Sequence, residues 1–291
     1  MSIEPPQYVR RIRGEPQVRR WKEQRWLIDN IIQANGPDWD QPRTKYLHFP
    51  CGMEASADFA LIAQRVKKYA DMSPAFEATA KRREARAQAA EEQGSRVTAR
   101  ENYFMAAVHW GAAQWPYHDN DDTNIALNER KRACYAAYGR LADHRVEPVW
   151  VPFRDTHLPG WFHLPPGYTG GKVPVVVEIP GMDGFKEIAV SLNGDRWLSR
   201  GFAVLAIDGP GQNEAPLYGI HVSMDNWIAA GPAIVDDANE LGSDLIVMGL
   251  RYKKRFGGQW DAGRTVPYVM RNSTAPVWCL RAETKELAHT T

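Results

Sequence analysis

The densest chemistry in the chain lies in seven residues that follow an apolar run at 173–179: Pro180-Gly181-Met182-Asp183-Gly184-Phe185-Lys186. Two glycines permit tight backbone geometry and let N–H groups approach an oxyanion, and a helix starting just after the loop would add a favourable dipole. The simpler account is a glycine-rich turn, and the sequence leaves both open. A second loop, Asp208-Gly209-Pro210-Gly211-Gln212-Asn213-Glu214, follows the apolar run that begins at Phe202. Asp and Gly after a strand are ordinary turn chemistry. In an open parallel sheet, ligands bind outside the carboxyl ends of the strands, so both loops stand where a site belongs.

A nucleophile is harder to find. The usual device is a serine on a G-x-S-x-G turn between strand and helix, and that pattern occurs nowhere in the 291 residues. After the strand expected at 244–249 the chain reads Met248-Gly249-Leu250-Arg251-Tyr252. Ser191 and Ser199 are expected inside a helix after the first loop, Ser223 at an N-cap and Ser243 at the amino end of a strand. His157 and His163 fall in a hairpin, His221 after the second loop and His289 in the tail. No Ser-His-Asp set is legible, although such sets are recognised by geometry and not by order along the chain.

The elements that must position these groups follow from periodicity. Residues 1–145 read as helical. Between 54 and 70, Ala55, Phe59, Ile62, Val66 and Tyr69 recur at spacings of three and four, which makes one apolar helical face. Ser73-Pro74 predicts an N-cap and first-turn proline for an Ala-rich helix toward Gly94. Thr98 and Glu101 predict a capping box before Tyr103, Phe104, Val108 and Trp115, and a further helix is expected over 125–141. From Val146 the pattern changes. Runs at 149–153 and 160–164 around a Pro-Gly turn signal predict a hairpin at a sheet edge.

The apolar runs at 173–179, 202–208, 244–249 and 276–280 then alternate with helical segments, the rhythm of buried parallel strands. Gly231-Pro232 predicts a break before a helix at 233–241. The fold class is α/β, a helical N-terminal domain plus a doubly wound, mostly parallel sheet. Only 42 residues follow Gly249, so a truncated sheet is expected, and it is expected to be continuous.

The order of these parts resembles the α/β-hydrolases with a helical cap. The resemblance rests on the tract Thr98-Ala99-Arg100-Glu101-Asn102-Tyr103-Phe104-Met105-Ala106-Ala107, the hairpin, P-G-M-D-G-F-K-E and D-G-P-G-Q-N-E, and spans about residues 20–236. That family includes bacterial carbon–carbon hydrolases of nicotine breakdown, related fungal polyketide hydrolases and the fermentation-respiration switch esterases. The resemblance implies an oxyanion hole at Gly181 and Met182, and an acidic residue assisting the substrate at Asp183. It implies hydrolysis of ester, amide or carbon–carbon bonds of small, partly aromatic substrates through a Ser nucleophile. Without a nucleophile elbow, catalysis is expected to be impaired or absent. Asn213 stands where the family's motif has glycine.

Residues 238–282 are similar instead to the carboxyl end of universal stress proteins, which implies a nucleotide site at Gly249, Gly258, Gly263 and Thr265. The phosphate pattern is incomplete, because Arg264 separates Gly263 from Thr265. Lys253, Lys254 and Arg255 read more simply as a solvated loop. A regulatory nucleotide-binding protein is therefore the alternative, and a non-catalytic fusion product a second one. The implied division is a helical cap at 1–145, a hydrolase core at 146–237, a stress-protein-like end at 238–282 and a tail at 283–291.

Composition sets the outer limits. Lys plus Arg (36) and Asp plus Glu (35) nearly cancel, so no global field recruits nucleic acid or an anionic membrane. The three cysteines are far apart and form neither a disulfide framework nor a metal knuckle. No metal and no cofactor are expected, and the partner is a small-molecule substrate or a nucleotide. A homo-oligomer stays open. The amino terminus lacks an apolar signal stretch and the apolar runs are strand-sized, so a cytoplasmic setting is expected.

Overall fold

The computed structural model describes residues 5–12, 19–39, 41–181, 183–221 and 236, the first five of the 19–39 stretch as backbone alone, and the strand backbones at 246–250, 253–254, 260–261 and 277–281. Among the described residues six α-helices precede the strands: α1 (Arg19–Asn35), α2 (Arg43–Cys51), α3 (Ser56–Arg65), α4 (Met72–Glu92), α5 (Arg96–Ala113) and α6 (Asp122–Leu141). Helix α5 packs between α4 and α6, and every residue from Asn102 to Ala113 is buried. A helix apolar on all sides belongs in a core. Its small residues Ala106, Ala107, Gly111 and Ala112 let neighbours approach closely.

Helix starts differ in detail from their sequence signals. The α4 helix opens at Met72, so Ser73 lies in its first turn and its buried Oγ has no hydrogen-bond partner. Gly94, at φ +72°, ends α4, and the Ser95 N–H donates to Ala90 O at 2.8 Å. That tight turn starts α5 directly after Ser95, which places Thr98 and Glu101 inside the helix and rules out their capping box. The face expected to run to residue 70 stops at Arg65, because the buried Val66 is extended and Asp71 Oδ2 takes the Lys67 and Lys68 amides at 3.0 Å. Asp121 caps α6 by accepting from the Asn124 N–H at 2.8 Å.

The main sheet has the order β1-β2-β4-β3, with β1 (Val146–Phe153), β2 (Thr156–His163), β3 (Val175–Glu178) and β4 (Ala203–Ile207). It is mixed. The β1–β2 hairpin and the β2–β4 pair are antiparallel, and β3–β4 is parallel with Val176 opposite Val204. Alternation sorts the faces. Val175, Val177, Ala203, Leu205 and Ile207 join Val151, Phe153 and Leu158 in one core, while Val204 and Trp161 join the helical core. Glu178, in step with Val176, therefore faces the helices.

Strands β5 (Ile246–Leu250) and β8 (Val277–Arg281) pair in parallel, Ile246 opposite Val277, close to the positions expected for the last two strands. Two short strands, β6 (Lys253–Lys254) and β7 (Trp260–Asp261), pair antiparallel. The continuous sheet expected from sequence is not formed among the described residues: β5 lies beside β3, but its hydrogen-bonded ladder is with β8 alone. The break at 231–232 and the helix at 233–241 lie outside the described residues apart from residue 236, as does Ser223.

The helix expected after the first loop is also missing. Two 3-10 turns, Lys186–Ile188 and Leu198–Arg200, stand in its place. Between them the buried Asp195 carboxylate collects the amides of Ser191 (3.2 Å), Trp197 (2.8 Å) and Leu198 (3.0 Å), a local alternative to helical pairing. Ser191 thus sits in irregular chain, and the element that follows the loop is the short 3-10 turn Lys186–Ile188.

One glycine fixes how this loop meets the helices. A Cβ at Gly111 would lie 2.7 Å from the Phe185 ring, so α5 and the loop touch only because residue 111 lacks a side chain. Gly111→Ala is expected to lower stability by about 1–3 kcal/mol, as overpacking does, read as an earlier urea midpoint at unchanged slope. An unchanged midpoint would remove this contact from the account. Among the described residues no helix is long and apolar enough to cross a membrane.

Candidate active site

The two glycine loops are tied to each other before any ligand is considered. Gln212 Nε2 donates to the carbonyl of Gly181 at 3.0 Å and also to that of Pro180, while Gln212 Oε1 accepts from the Gly209 N–H at 2.7 Å. Lys186 donates from its backbone N–H to Asp208 Oδ1 at 2.7 Å and from Nζ to Asp208 Oδ2 at 3.1 Å. Its Nζ also meets Glu187 at 2.9 Å and Glu214. Helix α6 completes the cluster: Lys131 Nζ lies 3.6 Å from Glu187 and 3.7 Å from Glu214, and Arg132 reaches Glu214 at 2.8 Å. Three cations, Lys131, Arg132 and Lys186, thus face three carboxylates, Glu187, Asp208 and Glu214.

All but Arg132 are essentially sealed from solvent. Burial alone would raise the Glu214 pKa, but Lys186, Lys131 and Arg132 together hold it well below the usual range. Burial would likewise lower Lys186, and the carboxylates of Asp208, Glu187 and Glu214 push it above its ordinary value. Asp208 is more than the turn residue its sequence setting suggests. Asn213, at φ +30°, occupies the left-handed region that favours glycine, and among other residues asparagine tolerates it best. Its Oδ1 accepts from Lys131 Nζ, so the substitution adds an acceptor to the cluster.

Above this platform the Gly181 loop meets the helical layer. Asp183 Oδ2 accepts from Gln41 Nε2, its Oδ1 lies 3.4 Å from Arg43 Nη1, and its carbonyl accepts from Trp115 Nε1 at 3.0 Å. The Arg43 guanidinium lies 5.4 Å from the Trp39 ring and 5.8 Å from that of Trp115. A cavity of about 350 Å³ opens between these groups, lined chiefly by Tyr46, Leu47, Trp115, Glu178, Gly181 and Ile188. A second cavity of about 500 Å³ shares Trp115, Asp183 and Gly184 with it and is walled by amides, among them Gln114, Asn124 and Asn213.

Gly181 borders open space: a Cβ added there meets nothing within 4 Å. Its carbonyl is held by Gln212 and by the Gly184 N–H at 3.0 Å, and its own N–H finds no acceptor among the described residues. Gly181 and Asp183 are therefore brought to one cavity. Met182 lies outside the described residues, as do Gly258, Gly263 and Thr265, while Gly249 lies in β5. Sequence reading missed Gln41, Arg43 and Glu178, whose signal is only a polar side chain beside an apolar run. It quoted Lys186, Asp208 and Glu214 within motifs without seeing that they pair.

No nucleophile joins this cavity among the described residues. A Ser–His hydrogen bond among them, His48 Nε2 to Ser56 Oγ at 3.1 Å, leaves the serine proton on Met53 O at 2.6 Å. His163, expected in the hairpin, is there but buried, with Nδ1 2.9 Å from His144 Nε2 and Nε2 3.3 Å from the Tyr135 hydroxyl. Burial first, then the neighbouring His144, holds the His163 pKa well below 6.5, and burial lowers His109 despite Asp58. Both rings are neutral when folded and take up protons when unfolded. Stability from these two sites is present above the ordinary value of 6.5 and falls as pH drops below it, more strongly for His163 than for His109, whose proton Asp58 partly favours. A ring-by-ring NMR titration measures this: the His163 ring of the folded chain is expected to stay neutral at pH 5.5, and a ring that takes up its proton near the ordinary 6.5 would contradict its burial as a neutral group.

The geometry gives comparison with known proteins something to meet. The family model for FrsA-like esterases matches residues 62–216, from the helical layer through the second loop. The chain belongs to the FrsA-like esterase family. Among curated relatives, the α/β-hydrolase xenA of Xenoacremonium sinensis is 34% identical over 141 residues, 47% of this chain and 33% of its own length. The 20-hydroxy-prefusarin hydrolase of Gibberella moniliformis is 32% identical over 138 residues, 46% of this chain and 33% of its own. The chain thus spans about a third of the length of these relatives. A solved 2,6-dihydroxy-pseudo-oxynicotine hydrolase aligns at 23% identity and TM-score 0.49, over 60% of this chain and 49% of that one. These comparisons bring no support to a stress-protein reading of 238–282. As a family member, the chain presents an α/β-hydrolase fold of helices on a mixed sheet, with the family match ending at the ion-paired loops.

Proposed function

We propose that the 350 Å³ cavity binds a small, partly aromatic ester, amide or ketone, with the substrate carbonyl oxygen at the Gly181 N–H, and that this chain binds such compounds far better than it hydrolyses them. The supporting observation is Gly181 itself: an exposed residue on the wall of a largely apolar cavity, whose N–H has no acceptor among the described residues. A backbone donor fixed before the substrate arrives is what stabilises developing negative charge on a carbonyl oxygen. Met182 is the natural second donor, and Asp183, oriented by Gln41 and Arg43, the group that assists the substrate. The family chemistry is acyl transfer through a serine, and no G-x-S-x-G turn supplies one here.

Calorimetry with 4-phenyl-2-butanone tests the site. Saturable binding is expected with a Kd in the millimolar range, since eleven heavy atoms at about 0.3 kcal/mol each give roughly 3 kcal/mol. A Cβ at Gly181 meets nothing within 4 Å, so Gly181→Leu is expected to crowd the ligand and weaken or abolish binding at unchanged urea stability. Equal affinity in this variant would show that the ligand binds elsewhere.

A further inference from the structure

Glu178 ends β3 on the face turned to the helices and lines the same cavity as Tyr46, Trp115 and Gly181. The residue as a whole is half-buried, and its Oε2 is buried with no hydrogen-bond partner among the described residues. An unpaired carboxyl at the wall of an apolar cavity is unfavourable unless something pairs with it, by several kcal/mol in general when it is charged. The other charges lining this cavity are already balanced, Arg43 against Asp183 at 3.4 Å. Glu178 is the acid left over. Burial first and the Asp195 charge second push its pKa up to about 7, with Arg196 pulling it down.

Resting on the reading of this cavity as the substrate site, we propose that Glu178 determines its specificity and selects ligands that carry an ammonium group on an aromatic body. The ammonium supplies both the charge and the N–H donors that the carboxylate lacks, and Tyr46 and Trp115 line the same cavity and supply aromatic surface for the cation or its carrier. A ligand cation also removes the reason for the raised pKa, because it stabilises the ionised carboxylate. This role is separate from that of Asp183, whose carboxylate is already occupied by Gln41 and Arg43.

The test compares phenethylamine with 2-phenylethanol, equal in shape and different in charge, by calorimetry at pH 8 on the full chain and on Glu178→Gln. The full chain is expected to bind the amine about tenfold more tightly than the alcohol, and the variant to bind the two equally, with alcohol affinity unchanged. Equal affinities in the unaltered chain, or a preference that survives in Glu178→Gln, would overturn the role of Glu178 while leaving the site intact. Loss of the amine preference together with alcohol binding would mean that the substitution damages the cavity, and overturns the assignment of specificity to one carboxyl. If neither compound binds the unaltered chain, the site itself is wrong and the inference falls with it.

Discussion

Lys186→Met is expected to destabilise the chain by about 3–5 kcal/mol, the range for breaking a buried ion pair from one side. Its ammonium contacts Asp208, Glu187 and Glu214, none of which has water to turn to. Removing it leaves three buried carboxylates facing Lys131 and Arg132 alone. Charge balance then makes a sharper prediction. In Lys186→Met with Asp208→Asn, two cations face two carboxylates, and the amide keeps an oxygen for the Lys186 N–H. The double variant is expected to recover at least about 1 kcal/mol over the single one, because the group left unpaired is itself gone. Guanidinium unfolding of the three chains measures both numbers. A double variant no more stable than Lys186→Met would show that these residues act by packing and not as a balanced network.

The second large effect concerns rate. Loss of a serine nucleophile from a working triad lowers kcat on the order of a million-fold, and what remains comes from the oxyanion site and binding. With p-nitrophenyl butyrate the purified chain is expected to show no stoichiometric burst of nitrophenolate and a steady rate no more than about 10³–10⁴ over water. It is expected to take up no fluorophosphonate, since nothing in the described cavity is activated to attack phosphorus. A burst of one nitrophenolate per chain would establish a serine that the cavity as described does not contain.

The legibility of this molecule divides along a physical line. Strong local patterns were readable: the buried strands at 175–178 and 203–207, the hairpin at 146–163 and the helix over 122–141 all follow from periodicity or run length. So was the existence of a loop at Gly181 after β3. What the sequence hid depends on contacts far apart along the chain. Gln41 and Arg43 meet Asp183 across about 140 residues, and Lys131 meets Glu214 across the α6-to-loop gap, distances over which no spacing rule operates.

The failed helix after the first loop has a different cause. Asp195 binds three amides and Gly194, at φ +89°, bends the chain before it, so local side-chain bonding outcompeted helical pairing. The capping box at Thr98 failed for the opposite reason: a genuine signal was overridden by the turn at Gly94, which fixes where α5 begins. In both places a short-range competitor decided the outcome.

On the proposed reading, the Gly181 cavity is a preformed carbonyl site with no serine among its described lining residues. The most direct test of that reading is a crystal structure of the chain soaked with phenyl trifluoromethyl ketone, which forms covalent adducts with activated serines. The ketone or its hydrate is expected to be held non-covalently between Trp115, Leu47 and Gly181, with an oxygen within hydrogen-bond distance of the Gly181 N–H. A bond from a serine Oγ to the ketone carbon, or a ligand seated away from Gly181, would contradict it.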